Sequence, residues 1–348
     1  MSQAADLFKL SQVPIISISA SQSLNASEIS RQPIPTGLPH LDQALDGATV
    51  DRPGGLLRGQ ITEVFGPPGA GKTSLAMNIA SHALREGGKV VWIDTSAPIP
   101  MSRLQVLTPS LSNFHYFRTP TLPHLLSLLM HPPKDFPPPE TSVMIIDSIS
   151  ALSPSYFPTA SELKDKHQKG KIKDKAQLQW LLNRRWNVYS DFATHLTRFA
   201  NQGVAVLAIN QAHVKIKGQP RATLYPIFAG AGWEKHVMTR ISIYRDLPDK
   251  RFMELTKKGG KVLLVRKGEN IIPFHIEDDG LRQWATVVDR RSFDLKHSLQ
   301  SSQTLQQTQP TPCRKRKATD EIADSQDEDS EDEYDWNEAS LIEVNKDK

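Results

Sequence analysis

Gly66, Pro67, Pro68, Gly69, Ala70, Gly71, Lys72, Thr73 and Ser74 form the run GPPGAGKTS, which fits the pattern G-x-x-x-x-G-K-[ST]. The apolar run ITEVF precedes it and TSLAMNIASHAL follows, so the local reading is strand, tight loop, helix. Glycines at these spacings let the backbone curl until successive amides face inward, where they can cradle phosphate oxygens. Lys72 then reaches the outer phosphates, and the Thr73 hydroxyl offers a ligand to Mg2+. The start of the following helix adds its dipole toward the same anion. The plain alternative is a glycine-rich turn that only caps a helix; the strand before and the helix after favour a nucleotide loop that binds ATP.

A loop of this kind needs an acid at the end of a neighbouring strand to hold the metal, usually through water. VMIIDS supplies Asp147, with four apolar residues ahead of it. The alternative is a surface aspartate closing a buried strand.

Strand-like runs recur along the chain at Ile61–Phe65, Lys89–Asp94, Val143–Asp147, Val204–Asn210, Arg240–Arg245, Lys261–Arg266 and Ile271–Ile276. Helical segments separate several of them. Continuous apolar strands alternating with helices predict an α/β fold with a mostly parallel central sheet flanked by helices on both faces. A long helix is expected between Ala176 and Asn201, with Leu178, Leu182, Tyr189, Phe192, Leu196 and Phe199 on one stripe facing the sheet. MHPPKDFPPPE, where prolines forbid helix, and the charged LKDKHQKGKIKDK read as irregular. In the first 33 residues only VPIISISA and NASEISRQ carry any periodicity, strand-like and helix-like respectively. The expected organisation is an N-terminal linker or docking strand over 1–33, a core over 34–285 and a disordered tail over 286–348.

No run of about 18 apolar residues exists, so no membrane-spanning helix is expected, and the first residues lack the basic start and long apolar block of a secretory signal. Cys313, the single cysteine, rules out an internal disulfide framework and a multi-cysteine zinc site. The net charge of +4 is the sum of two opposed parts. From Thr319 onward thirteen Asp/Glu face only Lys346 and Lys348, a net of −11, which leaves +15 for residues 1–318. A basic body with an acidic tail points to a polyanionic partner such as nucleic acid; solubility is the simpler alternative.

The combination of PTGLPHLDQALDG, GGLLRGQITEVFGPPGAGKTSLAMNIA, VVWIDT, MIIDSISAL, GVAVLAINQAHV, AGAGWEKHVMTRISIYR and FHIEDDGL resembles the RecA/RadA recombinase family. Within it, the chain resembles the fungal-type eukaryotic paralogues that assist the strand-exchange recombinase. The resemblance covers about residues 34–282 and implies a RecA-type P-loop ATPase core. It implies that Gln211 is the sensor facing the γ-phosphate and passing nucleotide state to the segment beyond it. In active members the strand matching VVWIDT ends on a glutamate that activates the attacking water, and the matching residue here is Ser96. A neutral hydroxyl is a poor general base, so weak hydrolysis is expected. Asp94, two residues earlier on the same face by the two-residue period, is the acid that could stand in.

Two family loops face DNA in the filament. The first would follow Asp147 and carry Lys164, Lys166, Lys169, Lys171, Lys173 and Lys175; a solvated charged loop is the alternative. The second would follow Gln211 and carry Lys215, Lys217 and Arg221, with Tyr225 and Phe228 available to stack on unpaired bases. The family's aromatic-x-x-Ala docking strand would fall near SISA, where Ala20 fits but Ser17 replaces the aromatic, which favours pairing with another paralogue over self-assembly. The segment that reaches a neighbour's nucleotide would lie near VRKGENIIP, with Arg266 and Lys267 as the basic candidates.

In the tail, PCRKRKATDE suits nuclear import, or else a non-specific DNA patch. The acidic run Asp320–Asp335 suits either competition with DNA or simple solubility, and Ser302-Gln303, Thr308-Gln309 and Ser325-Gln326 resemble damage-kinase sites. The resemblance implies a nuclear, ATP-binding protein of homologous-recombination repair. It would bind single-stranded or branched DNA and act with another paralogue and the main recombinase. A DNA-stimulated motor ATPase or helicase of the same fold, and a scaffold with a purely structural ATP, are the alternatives.

Overall fold

A computed structural model describes residues 32–46, 54–152, 156–215, 222–246, 250–263 and 267–284. Lys217, Arg221, Arg266, Ser17, Ala20, the VPIISISA and NASEISRQ runs and the whole tail lie outside the described residues. Among the described residues no helix is long and apolar enough to cross a membrane.

Six strands form the parallel heart of an eleven-stranded sheet: β1 (Ile61–Gly66), β2 (Lys89–Asp94), β3 (Phe114–Arg118), β4 (Thr141–Asp147), β5 (Ala205–Lys215) and β7 (Val237–Asp246). Their order is β7-β1-β5-β4-β2-β3, every neighbouring pair parallel. Beyond β7 the sheet turns antiparallel through β8 (Lys250–Lys258), β10 (Ile271–Glu277) and β11 (Gly280–Gln283), with the short β9 (Lys261–Val262) on β8. The strand expected over Lys261–Arg266 therefore shrinks to two residues, with 264–266 outside the described range.

Period-two alternation divides the core between the two faces of the sheet. On one face Val64, Val90, Trp92, Val143, Ile145 and Leu207 pack under α1 (Pro39–Asp46), α2 (Lys72–Arg85) and α3 (Met101–Leu107). On the other, Val91, Ile93, Met144, Ile146, Val206 and Ala208 pack under α4 (Leu122–Met130) and α6 (Lys175–Ala200). Helices on both faces explain why these strands are apolar throughout.

The lysine-rich stretch differs from its reading as a loop. Ala160–Gln168 forms helix α5, capped by the Thr159 hydroxyl accepting from the Glu162 amide, and Asp174 caps α6 by accepting from Ala176 N. Leu163 and Ile172 are buried where this unit packs against α6. The α6 stripe is also only half core: Tyr189, Phe192, Leu196 and Phe199 are buried, but Leu178 and Leu182 are half-exposed. Their half of the helix has α5 for a neighbour in place of the sheet. The residues after Gln211 likewise form a hairpin, β5 pairing antiparallel with β6 (Thr223–Pro226). Phe228, expected to face bases, is buried and stacks on Tyr189 at 3.6 Å between ring centroids.

One buried carboxylate ties the centre together. Glu63, fully buried in β1, accepts from Asn210 Nδ2 at 2.7 Å, Trp233 Nε1 at 3.1 Å and Arg240 Nε at 2.5 Å. Arg240 also donates to Glu234 at 2.6 Å, on the short helix α7 (Ala231–His236). Burial pushes the Glu63 carboxyl above its usual range, while Arg240, Asn210 and Trp233 pull it back. All three partners offer only donors to it, so the arrangement requires an acceptor there, and the ionised carboxylate meets that need. Asn210 in turn accepts from Phe228 N and donates to Phe228 O, which fixes the chain leaving the hairpin. Removing the guanidinium would strand a buried charge. Arg240→Met should cost about 3–5 kcal/mol in chemical denaturation, and the Glu63→Gln/Arg240→Met double variant should cost less than that single change. A single-variant loss below about 1 kcal/mol would mean the pair does not hold the sheet.

Candidate nucleotide site and nucleic-acid surfaces

The parallel strands bring the separate sequence motifs to one end of the sheet. β1 lies between β5 and β7, and its register sets Gly66 opposite Gln211, so the proposed sensor flanks the first residue of the phosphate loop. Gly66 cannot carry a side chain, because an added Cβ would lie 2.0 Å from the Ile243 carbonyl of β7. The loop then turns, with Ala70 N donating to Pro67 O, and feeds α2. Gly69 has φ +73, a left-handed backbone suited to glycine, and nothing within 4 Å of where its Cβ would be.

Lys72 curls back so that its ammonium donates to Gly66 O at 2.7 Å and Pro67 O at 2.8 Å. One residue on, the Thr73 hydroxyl donates to Asp147 Oδ2 at 2.7 Å, joining the loop to the end of β4. Burial lowers the Lys72 pKa and raises that of Asp147; the attraction between them and the Thr73 bond offset this only in part, and Asp94 pushes Asp147 further up. A half-buried ammonium beneath the loop, with a half-buried carboxylate and a hydroxyl at the next strand end and an open curled backbone beside them, is a set that fits a polyphosphate with a hard divalent cation. Among the described residues no cluster of three or more His, Cys, Asp or Glu could hold a metal ion.

Ser96 is exposed in the bend just after β2. Asp94 is a poor replacement base. It is 1% exposed, its Oδ1 accepts from Ser96 N at 3.0 Å, and its Oδ2 accepts from Tyr116 Oη at 2.7 Å. Both carboxylate oxygens are thus engaged away from solvent, which corrects the expectation that Asp94 could stand in. Burial and the Asp94 bond together hold the Tyr116 phenol up to about 12, so it remains a donor.

Two side chains of this end, Thr95 and Ser150, were not singled out from sequence. Thr95 Oγ1 donates to Ser148 O and accepts from Ser148 N, bracing the ends of β2 and β4. Ser150 Oγ accepts from Gln211 N at 2.9 Å, and Gln211 O accepts from Ile227 N at 2.9 Å. The Gln211 backbone is therefore clasped between the segment after β4 and the end of the hairpin. A small hydroxyl residue after a strand gives little sequence signal of such bridges.

Of the expected nucleic-acid residues, Lys164 and Lys166 are exposed on α5, Lys169 is its C-cap and pairs with Asp165, Lys171 and Lys173 are exposed in the connection, and Lys175 opens α6. Lys215 ends β5, with its ammonium 5.8 Å from the Tyr225 ring centroid, and Tyr225 stacks on His213. Lys267 is exposed and lies 3.6 Å from Glu269.

A profile of the RecA N-terminal domain matches residues 17–114. DNA repair protein rhp55 of Schizosaccharomyces pombe is 35% identical over 139 residues, covering 35% of this chain and 38% of that protein. Protein RecA of Symbiobacterium thermophilum is 30% identical over 128 residues, 37% of this chain and 34% of that protein. The matched stretch thus spans well under half of either relative. DNA repair and recombination protein RadB of Thermoplasma acidophilum is similar over far more: 30% identical over 250 residues, 71% of this chain and 93% of that protein. With the sheet order and the loop geometry, that span carries the assignment: the chain belongs to the RecA/RadA recombinase family.

Proposed function

We propose that this chain is an ATP- and Mg2+-binding recombinase paralogue in homologous-recombination DNA repair. It binds DNA and promotes assembly of the strand-exchange recombinase filament, together with another paralogue, and turns ATP over weakly. Relatives named as DNA repair and recombination proteins support the repair role. The basic run Arg314–Lys317 supports work in the nucleus. The observation that carries the reading is the gathering of Lys72, Thr73 and Asp147 at one loop with a serine, Ser96, in place of a carboxylate after the neighbouring strand. Thr73 and Asp147 meet at 2.7 Å, Lys72 lies under the loop, and Ser96 stands where a glutamate would act.

Bound Mg2+-ATP would supply a polyanion to grip and a γ-phosphate whose presence can be sensed. Gly66, Gly69 and Gly71 let the loop amides face that polyanion, Lys72 neutralises its outer charge, and Thr73 with Asp147 holds the cation. Gln211 flanks Gly66 on one side and is bonded through its backbone to Ile227 on the other. A shift of its side chain would bear on the hairpin that presents Lys215 and Tyr225. The nucleotide would act as an assembly switch, which needs occupancy more than turnover. The engagement of Asp94 by Tyr116 and Ser96 N disfavours a fast motor.

Turnover by the full chain should stay below about 1 s⁻¹, the low end of ordinary enzyme rates. Ser96→Glu should raise it at least about tenfold, since a positioned general base contributes about 10²–10⁴-fold when fully effective. Unchanged turnover in Ser96→Glu would remove this position from the explanation. On DNA, Lys215→Glu should weaken binding to oligonucleotides of different sequence about equally. It should also reduce the slope of log affinity against log salt by about 1, the signature of one lost phosphate contact. An unaltered slope would take Lys215 off the DNA.

A further inference from the structure

Helix α6 runs back over the sheet from the end where Gly66, Asp147 and Gln211 cluster, and its fully buried side chains begin only at Tyr189. The preceding fourteen residues rise about 20 Å and form a helical hairpin with α5. This hairpin, with Tyr156 just ahead of α5, carries an aromatic–guanidinium surface that no motif announced. Trp180 is 57% exposed and Tyr156 38%. The Arg184 guanidinium lies 5.6 Å from the centroid of each ring and donates to Tyr156 Oη. An indole left this exposed beside a positioned cation is ready-made for stacking. From Tyr156 to Trp186 eight Lys/Arg face three Asp/Glu. Two of those three acids are engaged locally, Asp165 on Lys169 and Asp174 on the α6 amide.

The chain holds the complement of this surface. Between Asp320 and Asp335 ten of sixteen residues are Asp or Glu, and Tyr334 and Trp336 close the run. Closely spaced anions beside planar rings are the two features that a single nucleic-acid strand presents to a protein. Length is no obstacle. From β11 to β5 is five strand steps of about 4.8 Å, or about 24 Å, whereas residues 285–319 can extend to about 120 Å. Tethering also gives the run a high effective concentration at this surface.

We propose that the acidic segment 320–336 docks on the α5–α6 hairpin as an internal substitute for single-stranded DNA, its carboxylates on the lysines and its aromatic residues beside Trp180 and Arg184. Docking then raises the threshold at which DNA can occupy the same surface; this second consequence rests on the DNA-binding reading above, while the docking itself does not.

The test uses a labelled synthetic peptide of residues 319–348 and the full chain in two forms: wild type, and one with the ten Asp/Glu of 320–335 changed to Asn/Gln. The peptide should bind the neutralised chain at least tenfold more tightly than the wild-type chain, whose own tail competes. Binding should fall at least tenfold in neutralised chains carrying Trp180→Ala or Arg184→Ala, survive Trp180→Phe, and weaken steeply from 50 to 200 mM salt. Equal binding to both forms, or binding indifferent to Trp180 and Arg184, overturns the docking. An oligothymidylate should bind the neutralised chain about tenfold more tightly than wild type at 50 mM salt, with the gap closing as salt rises. If the oligonucleotide binds both forms equally and the peptide binds neither, the docking is wrong and the DNA reading stands. If neither form binds the oligonucleotide, the DNA reading falls, and the peptide measurement alone still decides the docking.

Discussion

The hydrogen bond from the Thr73 hydroxyl to the Asp147 carboxylate joins two residues 74 positions apart in sequence. It exists because β1 and β4 run parallel in one sheet with only β5 between them. Parallel pairing sends the C-terminal end of each strand to the same side, and ligands of open α/β sheets bind at that side. Everything proposed for the nucleotide follows from this geometry. The loop after β1 supplies Lys72 and Thr73, the end of β4 supplies Asp147, and β5 delivers Gln211 beside Gly66.

A second constraint lies one layer deeper. Glu63 is an ion with no access to water, and its three donors come from β5, α7 and β7. Such a cluster holds together only when every partner is present. It fixes Asn210, the neighbour of Gln211, and through Asn210 it fixes Phe228, where the hairpin returns to the core. Aromatic contacts continue outward from there: Phe228 on Tyr189, Tyr189 against Phe157, and Phe157 against the exposed Tyr156 just ahead of α5. A continuous run of contacts therefore links the proposed nucleotide end, the β5–β6 hairpin and the basic helical surface.

What was legible in the sequence was what local pattern dictates. The central strands are buried on both faces and read as unbroken apolar runs, and the phosphate loop and Asp147 follow from their spacing. Strand β3 at one edge of the sheet and strand β8 inside its antiparallel half were not legible. FHYFR of β3 and KRFMELTKK of β8 interleave charged or polar residues with apolar ones, and their pairing is set by neighbours distant in sequence. Glu63 was hidden inside an apparently ordinary strand, since its partners lie 147 or more residues away. Charge density made 163–175 look like loop, although Leu163 and Ile172 are enough to seat a helix. The period-two rule put Asp94 on the face of Ser96, but it could not show Tyr116 reaching across from β3. Phe228 failed as a base-stacking residue for a similar reason: its position after the sensor was visible, but its burial among Tyr189, Phe192 and Trp233 was not.

The proposed role, a part assembled and released with others, calls for a chain that grips nucleotide firmly and spends it slowly. Calorimetric titration of ATP into the full chain, with and without Mg2+, and into Asp147→Asn under the same conditions, addresses the grip itself. The wild-type chain should bind ATP more tightly with Mg2+ than without it, and Asp147→Asn should lose most of that magnesium-dependent gain while keeping its fold. A wild-type chain with no measurable ATP affinity, or an Asp147→Asn chain with the full magnesium effect, would contradict a site built on Thr73 and Asp147.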